Sequence, residues 1–557
     1  MKRPLLLLIL LLLLAACRFG PTDDGPQTTA VPTAAPTTDD ANPTAANPTA
    51  DSRPTTAANP TAVPPTTAAR PQTTPADAPL IPNPYPLAPI FDIAWDDRAI
   101  YARGLVAPAA EDVPGAPVYH IDITIADDLR TVTGRQTVFY TNMEDAPLSE
   151  IVFHLHPNLL DSAIEVSDLT VDGAPAPTTI SGAKRSILTV ALPAPLPPGA
   201  TTTLDMHFVT EVATDIGRNY GVLAIYDGIL ALAHFYPMLS VYDATGWNTA
   251  EADVQGDLTY SDAGYYLVRV AAPAGVTVVA SGVAVEEEAL SQEEGEQRTT
   301  VYAVGPARDF YLAAGDFAVV SGTAGATTIN SYAPAELRDG AALALDVAAA
   351  AIGINEARLS PFPYTELDIV TTPTAALGIE YPGLIVGTLR MYDITATNQA
   401  GVGYDDILES TTAHEVMHQW FYNLIGNDQL DEPWLDESMA GYQTYRYYAD
   451  RYDQAAGDAY FGNFAGRWES VDRAEIPIGL PVRAYQGPEY GAIVYGRGPF
   501  FLRALEEQMG RETFDAFLRD YAAAFRWGIS TTADFQTLAE ARCGCDLEPL
   551  FAAWVTE

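Results

Sequence analysis

The chain has 557 residues, of which 72 are acidic and 29 are lysine or arginine, so its formal net charge is −43. A surface with this charge repels a phosphate backbone and argues against nucleic acid as a partner. The length is sufficient for two domains, each with its own core.

The N-terminal residues predict an export signal. Residues 1–3 are Met-Lys-Arg, and 4–14 are dominated by leucine, a run shorter than the roughly 20 residues of a membrane-spanning helix. The following Leu-Ala-Ala-Cys, which ends at Cys17, resembles the lipobox of bacterial lipoproteins. We expect residues 1–17 to be a lipoprotein signal peptide and the mature chain to be extracytoplasmic, anchored to the bacterial cell membrane by lipid on Cys17. An ordinary signal peptide that contains a cysteine is the alternative.

Residues 18–85 are rich in Pro, Thr, Ala and Asn and contain few large apolar side chains. The pentad Ala-Asn-Pro-Thr-Ala recurs there, beginning at Ala41, Ala46 and Ala58. Such a segment cannot bury enough apolar surface to offset the entropy lost on ordering it. We therefore expect a disordered tether between the anchor and the folded part of the chain.

Alternation of apolar and polar residues predicts strands in the next segment. The pattern is clear at 119–125 and 151–155 and is interrupted by Asp, Gly and Pro. A period of two residues is typical of strands with one buried face. We expect an N-terminal domain over 86–325 that is an antiparallel β-sheet of the β-sandwich type. His154 and His156 would share one face of a strand, and we interpret them as packing or surface residues.

Helical periodicity begins near Ala335 and dominates the remaining sequence. We therefore expect a second, mostly helical domain over 326–557. Near its end, Cys543 and Cys545 form a Cys-Gly-Cys sequence. An oxidising compartment allows such a pair to bond, but a bridge across one residue closes a tight ring, so the sequence leaves the pairing open.

The pattern His-Glu-x-x-His lies inside a predicted helix. Residues 407–422 contain no Gly or Pro and repeat apolar residues at helical spacing. His414 and His418 are four positions apart, so both imidazoles lie on one face of the helix and can bind one ion. Glu415 lies beside them and is not needed as a ligand. Two such imidazoles are typical of a catalytic zinc site that keeps one position for water.

Glu437 is the candidate for the third ligand. A turn occurs at 426–428, and a second helix is predicted to begin near Pro433. Two helices joined by a short connection can pack antiparallel, so Glu437 could face the two histidines. A metzincin would need a histidine at position 424, where Leu424 stands. These residues predict a zinc hydrolase; surface histidines and a non-catalytic zinc site are the alternatives.

With these residues the chain resembles the aminopeptidase N family of gluzincins, in a short two-domain bacterial form, over about 119–555. The family's His-Glu-x-x-His, eighteen residues and then Glu is matched by His414, Glu415, His418 and Glu437. The Arg-Asp-Phe sequence at 308–310 and the Tyr-Thr-Asn sequence at 140–142 also resemble the family. The resemblance implies a thermolysin-like catalytic domain with one zinc ion and Glu415 as the base that accepts a proton from water.

The resemblance also implies an anchor for the substrate's free amine. The family signature Gly-x-Met-Glu-Asn, which lies on an edge strand, is matched by Leu-Gly-Ile-Glu-Tyr at 377–381. Glu380 matches the glutamate that binds the α-amine, and Gly378 belongs to the same substrate-binding strand. The other three positions differ from the family residues. A second signature, Tyr-x-Lys-Gly, is matched by Tyr495 and the residues after it, with Arg497 in place of lysine. Tyr495 would donate its hydroxyl to the oxyanion.

We therefore expect a zinc-dependent aminopeptidase that removes the N-terminal residue of peptides at the cell surface. An endopeptidase or epoxide hydrolase that uses the same zinc site is one alternative, and a non-catalytic surface binding module is another. Glu415 and Tyr495 argue against the binding module, because binding alone would not require them. Many family members carry a further helical domain that closes over the active site. The sequence stops at Glu557, and we expect that lid to be missing.

Overall fold

A computed structural model describes residues 90–107, 113–217, 220–251, 256–289 and 297–556, with the side chains of 286–289 left aside. The predicted signal peptide with Cys17 and the predicted tether lie outside these residues. Within the described part of the chain, no helix has the length and apolar character needed to cross a membrane.

Strands fill the N-terminal domain, as the alternating pattern predicts. In chain order they are β1 (Val118–Ile125), β2 (Thr131–Thr141), β3 (Leu148–His154), β4 (Ala163–Val171), β5 (Ala174–Pro175), β6 (Thr178–Ser181), β7 (Ile187–Leu196), β8 (Thr201–Glu211), β9 (Leu223–Tyr226), β10 (Ile229–Leu232), β11 (Met238–Leu239), β12 (Tyr242–Asp243), β13 (Gly246–Trp247), β14 (Gly264–Pro273), β15 (Thr277–Ala280), β16 (Val283–Ala289), β17 (Gln297–Ala307) and β18 (Leu312–Gly315).

These strands form one large sheet and several smaller ones. The eight-stranded sheet has the order β16-β17-β14-β1-β2-β8-β4-β5, and two four-stranded sheets have the orders β15-β18-β10-β9 and β11-β3-β7-β6. Strands β12 and β13 pair separately. The pairing is antiparallel as predicted, with one difference: β1 and β14 run parallel.

Alternation along β8 shows how the sequence builds this domain. Leu204, Met206 and Phe208 are buried, and the residues between them are more exposed. The ring of Phe208 packs directly on Gly134 of β2, where a Cβ atom would lie 2.3 Å from the ring. Glycine at this position therefore allows the close packing of the two strands.

A mixed sheet of five strands begins the second domain. Its strands are β19 (Ala318–Ala324), β20 (Thr327–Ala333), β21 (Glu366–Thr372), β22 (Gly378–Tyr381) and β23 (Leu384–Thr388), in the order β19-β20-β21-β23-β22. The predicted domain boundary at 325/326 falls at the turn of the β19–β20 hairpin. Strand β19, predicted to lie in the first domain, thus pairs within the sheet of the second.

Helices supply the rest of the second domain, as expected. After α1 (Arg98–Tyr101), which precedes the strands, they are α2 (Arg338–Glu356), α3 (Tyr404–Met417), α4 (Trp434–Arg451), α5 (Gln454–Glu469), α6 (Glu489–Ala492), α7 (Gly498–Met509), α8 (Arg511–Ala524), α9 (Thr532–Cys543) and α10 (Glu548–Phe551). Two π-helical turns, Ile493–Arg497 and Ala552–Thr556, also occur. Cys543 and Cys545, at the end of α9, are joined by a disulfide bond.

Arg308 ties the two domains together. It is 1% exposed and follows β17. Its guanidinium donates to the backbone carbonyl of Tyr422 (2.7 Å), in the helical domain, and to that of Ser261 (3.0 Å), in the β-domain. The same guanidinium packs on Gly426, where a Cβ atom would lie 2.2 Å from its central carbon. The Arg-Asp-Phe sequence at 308–310, which resembles the family, thus contains a residue that joins the two domains.

The two histidines of β3 and the turn after it are packing residues. His154 and His156 are both buried, with ring centroids 5.1 Å apart. A third histidine, His234, lies 5.2 Å from His156, a contact that the sequence separation conceals. Burial lowers the pKa of His156 well below its usual value, so this ring is neutral at pH 7.

Candidate metal and substrate site

Helix α3 carries the two predicted histidine ligands. Asp405 and Asp406 lie in its first turn, where carboxylates interact favourably with the positive end of the helix dipole. The helix ends at Met417, so His414 lies in its last turn and His418 forms its C-terminal cap. The Nε2 atoms of His414 and His418 are 3.1 Å apart. The i, i+4 spacing thus brings both imidazoles to one point, as predicted.

Glu437 reaches the same point from the next helix. Helix α4 begins directly after Pro433, and Glu437 lies in its first turn. Its Oε2 atom is 3.1 Å from Nε2 of His414 and 3.5 Å from Nε2 of His418. The structure therefore places all three predicted ligands together.

This donor set fits a zinc ion. Two imidazole nitrogens and one carboxylate oxygen are the protein ligands typical of a catalytic zinc site. The Nδ1 atom of His418 lies 3.1 Å from the carbonyl oxygen of Phe421. When Nδ1 donates its hydrogen there, Nε2 is left to coordinate a metal.

A second group of possible ligands shares His418. Donor atoms of Glu380, Glu415 and His418 lie within 4.8 Å of one another, as do those of His414, His418 and Glu437. Because Nδ1 of His418 faces Phe421, the one remaining nitrogen serves one ion. The group with both imidazoles offers the better zinc donors, which leaves Glu415 and Glu380 for other roles.

Glu415 is buried against the edge strand β22. Its side chain packs on Gly378, where a Cβ atom would lie 2.2 Å from Oε1 of the carboxylate. Glycine at 378 thus permits the carboxylate to lie between the strand and the zinc helix. Burial raises the pKa of Glu415 well above its usual value, which makes the carboxylate a stronger base. Gly378 and Glu415, predicted separately, are in contact.

Glu380 lies on the same edge strand, as predicted for the amine anchor. It is 5% exposed, and its Oε1 atom accepts a hydrogen bond from Nε2 of Gln429 (3.0 Å). Burial raises the pKa of Glu380 to about 7. A cationic partner stabilises a carboxylate in this position, because it offsets the free-energy cost of burying the negative charge.

Tyr495 lies in the π-helical turn Ile493–Arg497, a distortion that often occurs at functional sites. Its hydroxyl donates to Oε1 of Glu437, and its ring centroid is 6.2 Å from that of His414. The hydroxyl therefore borders the predicted metal position. Arg497, by contrast, is buried and donates to the carbonyls of Ile476 and Trp554, so it holds the local fold.

Two further polar residues of the site, Asp257 and Gln429, belong to no sequence motif. Asp257, from the β-domain, lies close enough to Glu437 for the two carboxyl groups to interact. Burial raises its pKa well above the usual value, and the charges of Glu380 and Glu437 raise it further. Gln429 is buried between α3 and α4. Asp257 lies outside any motif, and Gln429 is separated from Glu380 by 49 positions, so neither gave a local signal.

Comparison with known proteins agrees with this geometry. Residues 343–554 match the family model described as "Peptidase family M1 domain". "Aminopeptidase M1-B" of Oryza sativa subsp. japonica is 24% identical over 290 residues, which cover 47% of this chain and 31% of that protein. "Probable aminopeptidase 2" of Sulfurisphaera tokodaii is 26% identical over 280 residues, with 48% and 35% covered. The chain spans about a third of the length of these curated relatives.

Solved structures share the fold. An M1 zinc metallopeptidase from Deinococcus radiodurans has a TM-score of 0.60 at 21% identity, covering 82% of this chain and 94% of that chain. A mutant of the Deinococcus radiodurans protein, solved bound to a "Tyr-ser-ala substrate", has a TM-score of 0.59 at 21% identity, with 81% and 94% covered.

The β-domain followed by the helical domain is the fold that this chain shares with the solved M1 zinc metallopeptidases. Residues 343–554 match the Peptidase family M1 domain, and the predicted resemblance to the aminopeptidase N family is confirmed.

Proposed function

We propose that this protein is a zinc-dependent aminopeptidase that hydrolyses the N-terminal peptide bond of its substrates. The main support is the convergence of His414, His418 and Glu437, with the carboxylates of Glu415 and Glu380 beside them. The three ligands would hold one zinc ion per chain. When bound, zinc supplies a Lewis acid that polarises the scissile carbonyl and promotes the ionisation of water.

The chain's own residues would perform the remaining steps. Glu415 accepts the proton of the attacking water and passes it to the leaving amine. Tyr495 donates its hydroxyl to the developing oxyanion, in preference to its contact with Glu437. Glu380 binds the substrate's ammonium group and thereby positions the first peptide bond for attack.

Glu380 favours an aminopeptidase over an endopeptidase or epoxide hydrolase with the same zinc ligands. A buried carboxylate next to the metal position is suited to a cation, and the N-terminus of a peptide supplies one. A non-catalytic binding module is the least favoured alternative, because it explains neither the buried base nor the tyrosine hydroxyl at the metal position.

The test compares substrates with free and blocked amines. We expect hydrolysis of leucyl-p-nitroanilide, loss of the activity with a chelator, and recovery with added zinc. N-acetyl-leucyl-p-nitroanilide should be hydrolysed at least about 100-fold more slowly, because the ion pair with Glu380 is missing. Equal rates on the two substrates would favour an endopeptidase. No hydrolysis of either, or of a set of internal peptide bonds, would favour a binding module.

We also propose that the mature protein is attached to the outer face of the cell membrane by lipid on Cys17. The support is the Leu-Ala-Ala-Cys sequence after an apolar run. Fractionation of cells that express the full chain tests this. The wild-type protein should pellet with membranes. The Cys17→Ser variant, which cannot be lipidated, should remain in the soluble fraction. A mass spectrum without an added lipid on wild-type Cys17 would contradict the proposal.

A further inference from the structure

A single carboxamide bridges two buried carboxylates of the site. Gln429 is 2% exposed, and its Nε2 atom donates to Oε1 of Glu380 (3.0 Å) and to Oδ2 of Asp436 (2.9 Å). An amide nitrogen carries two hydrogens, so each carboxylate receives one of them. The side chain thus joins the proposed amine anchor to the residue that precedes the ligand Glu437.

The orientation of this amide is fixed by its surroundings. The hydroxyl of Thr259, from the β-domain, donates to Oε1 of Gln429 (3.0 Å). If the amide were flipped, its oxygen would face the oxygens of two carboxylates, Glu380 and Asp436, in place of its donating nitrogen. The observed orientation therefore satisfies the amide on both sides, and a rotation would break three hydrogen bonds.

Asp436 is itself held in place by hydrogen bonds. Its Oδ1 atom accepts hydrogen bonds from the backbone N–H of Glu437 (2.9 Å) and from Nδ2 of Asn427 (3.1 Å). With Asp436 and Thr259 holding Gln429, its second N–H is aimed at Glu380. The hydrogen bond then restrains the position of the Glu380 carboxylate.

The choice of an amide matters for an amine-binding carboxylate. An arginine or lysine at 429 would also hold Glu380, but its positive charge would compete with the substrate's ammonium. A neutral donor orients the carboxylate and leaves its negative charge to the substrate. One oxygen of Glu380 is used by Gln429, and the other is assigned to the ammonium.

We infer that Gln429 is a positioning residue that holds the carboxylate of Glu380 ready for the substrate's amine. This inference rests on the aminopeptidase function proposed above. It extends the site to a residue between α3 and α4 and, through Thr259, to the β-domain. Removing the Gln429 side chain should therefore weaken substrate binding and have little effect on the chemical step.

The experiment is a double-mutant cycle on the zinc-loaded full chain. Wild type, Gln429→Met, Glu380→Gln and the double variant are compared on leucyl-p-nitroanilide, with L-leucine binding measured by calorimetry as a readout independent of turnover. Gln429→Met should raise KM and the Kd for leucine about tenfold, the usual effect of losing a hydrogen bond to a charged group, with kcat nearly unchanged. In the Glu380→Gln background it should add little.

Two further variants keep the test decisive. Gln443→Met removes a buried glutamine that contacts Arg358, so it should lower thermal stability and leave KM unchanged. If Gln429→Met fails to fold, Thr259→Val releases the oxygen of Gln429 and should raise KM by about threefold.

Either of two results overturns the inference alone: a wild-type KM in the folded Gln429 or Thr259 variant, or losses that multiply in the double variant. If Glu380→Gln itself leaves the preference for a free amine intact, the proposed anchor and the inference fall together. The two failures are therefore distinguishable.

Discussion

The Nε2 atom of His414 lies 3.1 Å from Oε2 of Glu437, although 23 positions separate the two residues. The contact joins the last turn of α3 to the first turn of α4. Because each helix end is fixed by its own packing, the donors are held together by the fold itself. This preorganisation is what a metal site requires.

Tyr495→Phe tests the oxyanion role. The hydroxyl contacts Glu437 in the structure and is proposed to donate to the oxyanion in the transition state. Without this donor we expect kcat to fall about 100- to 1,000-fold. Tyr442→Phe is the matched control, since Tyr442 is buried and its hydroxyl donates to Glu506. The control should lose stability and keep wild-type turnover. Full activity in folded Tyr495→Phe would make Tyr495 a packing residue.

Glu380→Ala tests the amine anchor. Removing the carboxylate strands the substrate's ammonium, so kcat/KM for free-amine peptides should fall about 100-fold, near the lower end for breaking a buried ion pair. Any activity on N-blocked peptides should be unchanged. The measurement is kcat/KM on both substrate types, and a parallel loss on both would remove Glu380 from amine recognition.

Gly378→Ala tests the contact between the edge strand and the base. A Cβ atom at 378 would lie 2.2 Å from Oε1 of Glu415, so the carboxylate must move. We expect turnover to fall at least about tenfold, because a displaced base no longer has the geometry for proton transfer. Gly353→Ala, at an uncrowded position on α2, should retain wild-type turnover. A normal rate in Gly378→Ala would show that the base position is not critical.

The metal ligands could be predicted from the sequence because they follow local patterns. The spacing of His414 and His418 is a property of one helix, and Glu437 follows in the next helix of a recognised motif. Gln429 and Asp257 depend on contacts across the fold: Thr259 and Gln429, for example, are 170 positions apart. The parallel pairing of β1 with β14 escaped prediction for the same reason, since alternation does not determine strand direction.

Stability should decrease as pH rises because of the carboxyl group of Glu366, the first residue of β21. Burial raises the pKa of Glu366 to about 7 from a usual 4.5. Between these values the folded state keeps a proton that the unfolded state has lost, so the free energy of unfolding falls as pH rises from about 4.5 to 7. Glu366→Gln should remove this contribution.

Thermal unfolding at pH 5 and pH 8 measures the effect. The Tm of Glu366→Gln, relative to wild type, should be higher at pH 8 than at pH 5. Glu336→Gln, at an exposed residue, should show the same difference from wild type at both values. If the Tm difference between Glu366→Gln and wild type is the same at pH 5 and pH 8, Glu366 ionises normally in the folded protein.

Metal content and turnover, measured together on purified variants, test whether His414, His418 and Glu437 hold a catalytic zinc ion. We expect one zinc per chain in wild type and in Glu415→Gln, with activity lost in Glu415→Gln because an amide cannot accept the proton. His418→Ala and Glu437→Ala should lose both zinc and activity, since each removes one of three protein ligands. A full zinc content with wild-type turnover in His418→Ala or Glu437→Ala would show that these residues are not the zinc ligands.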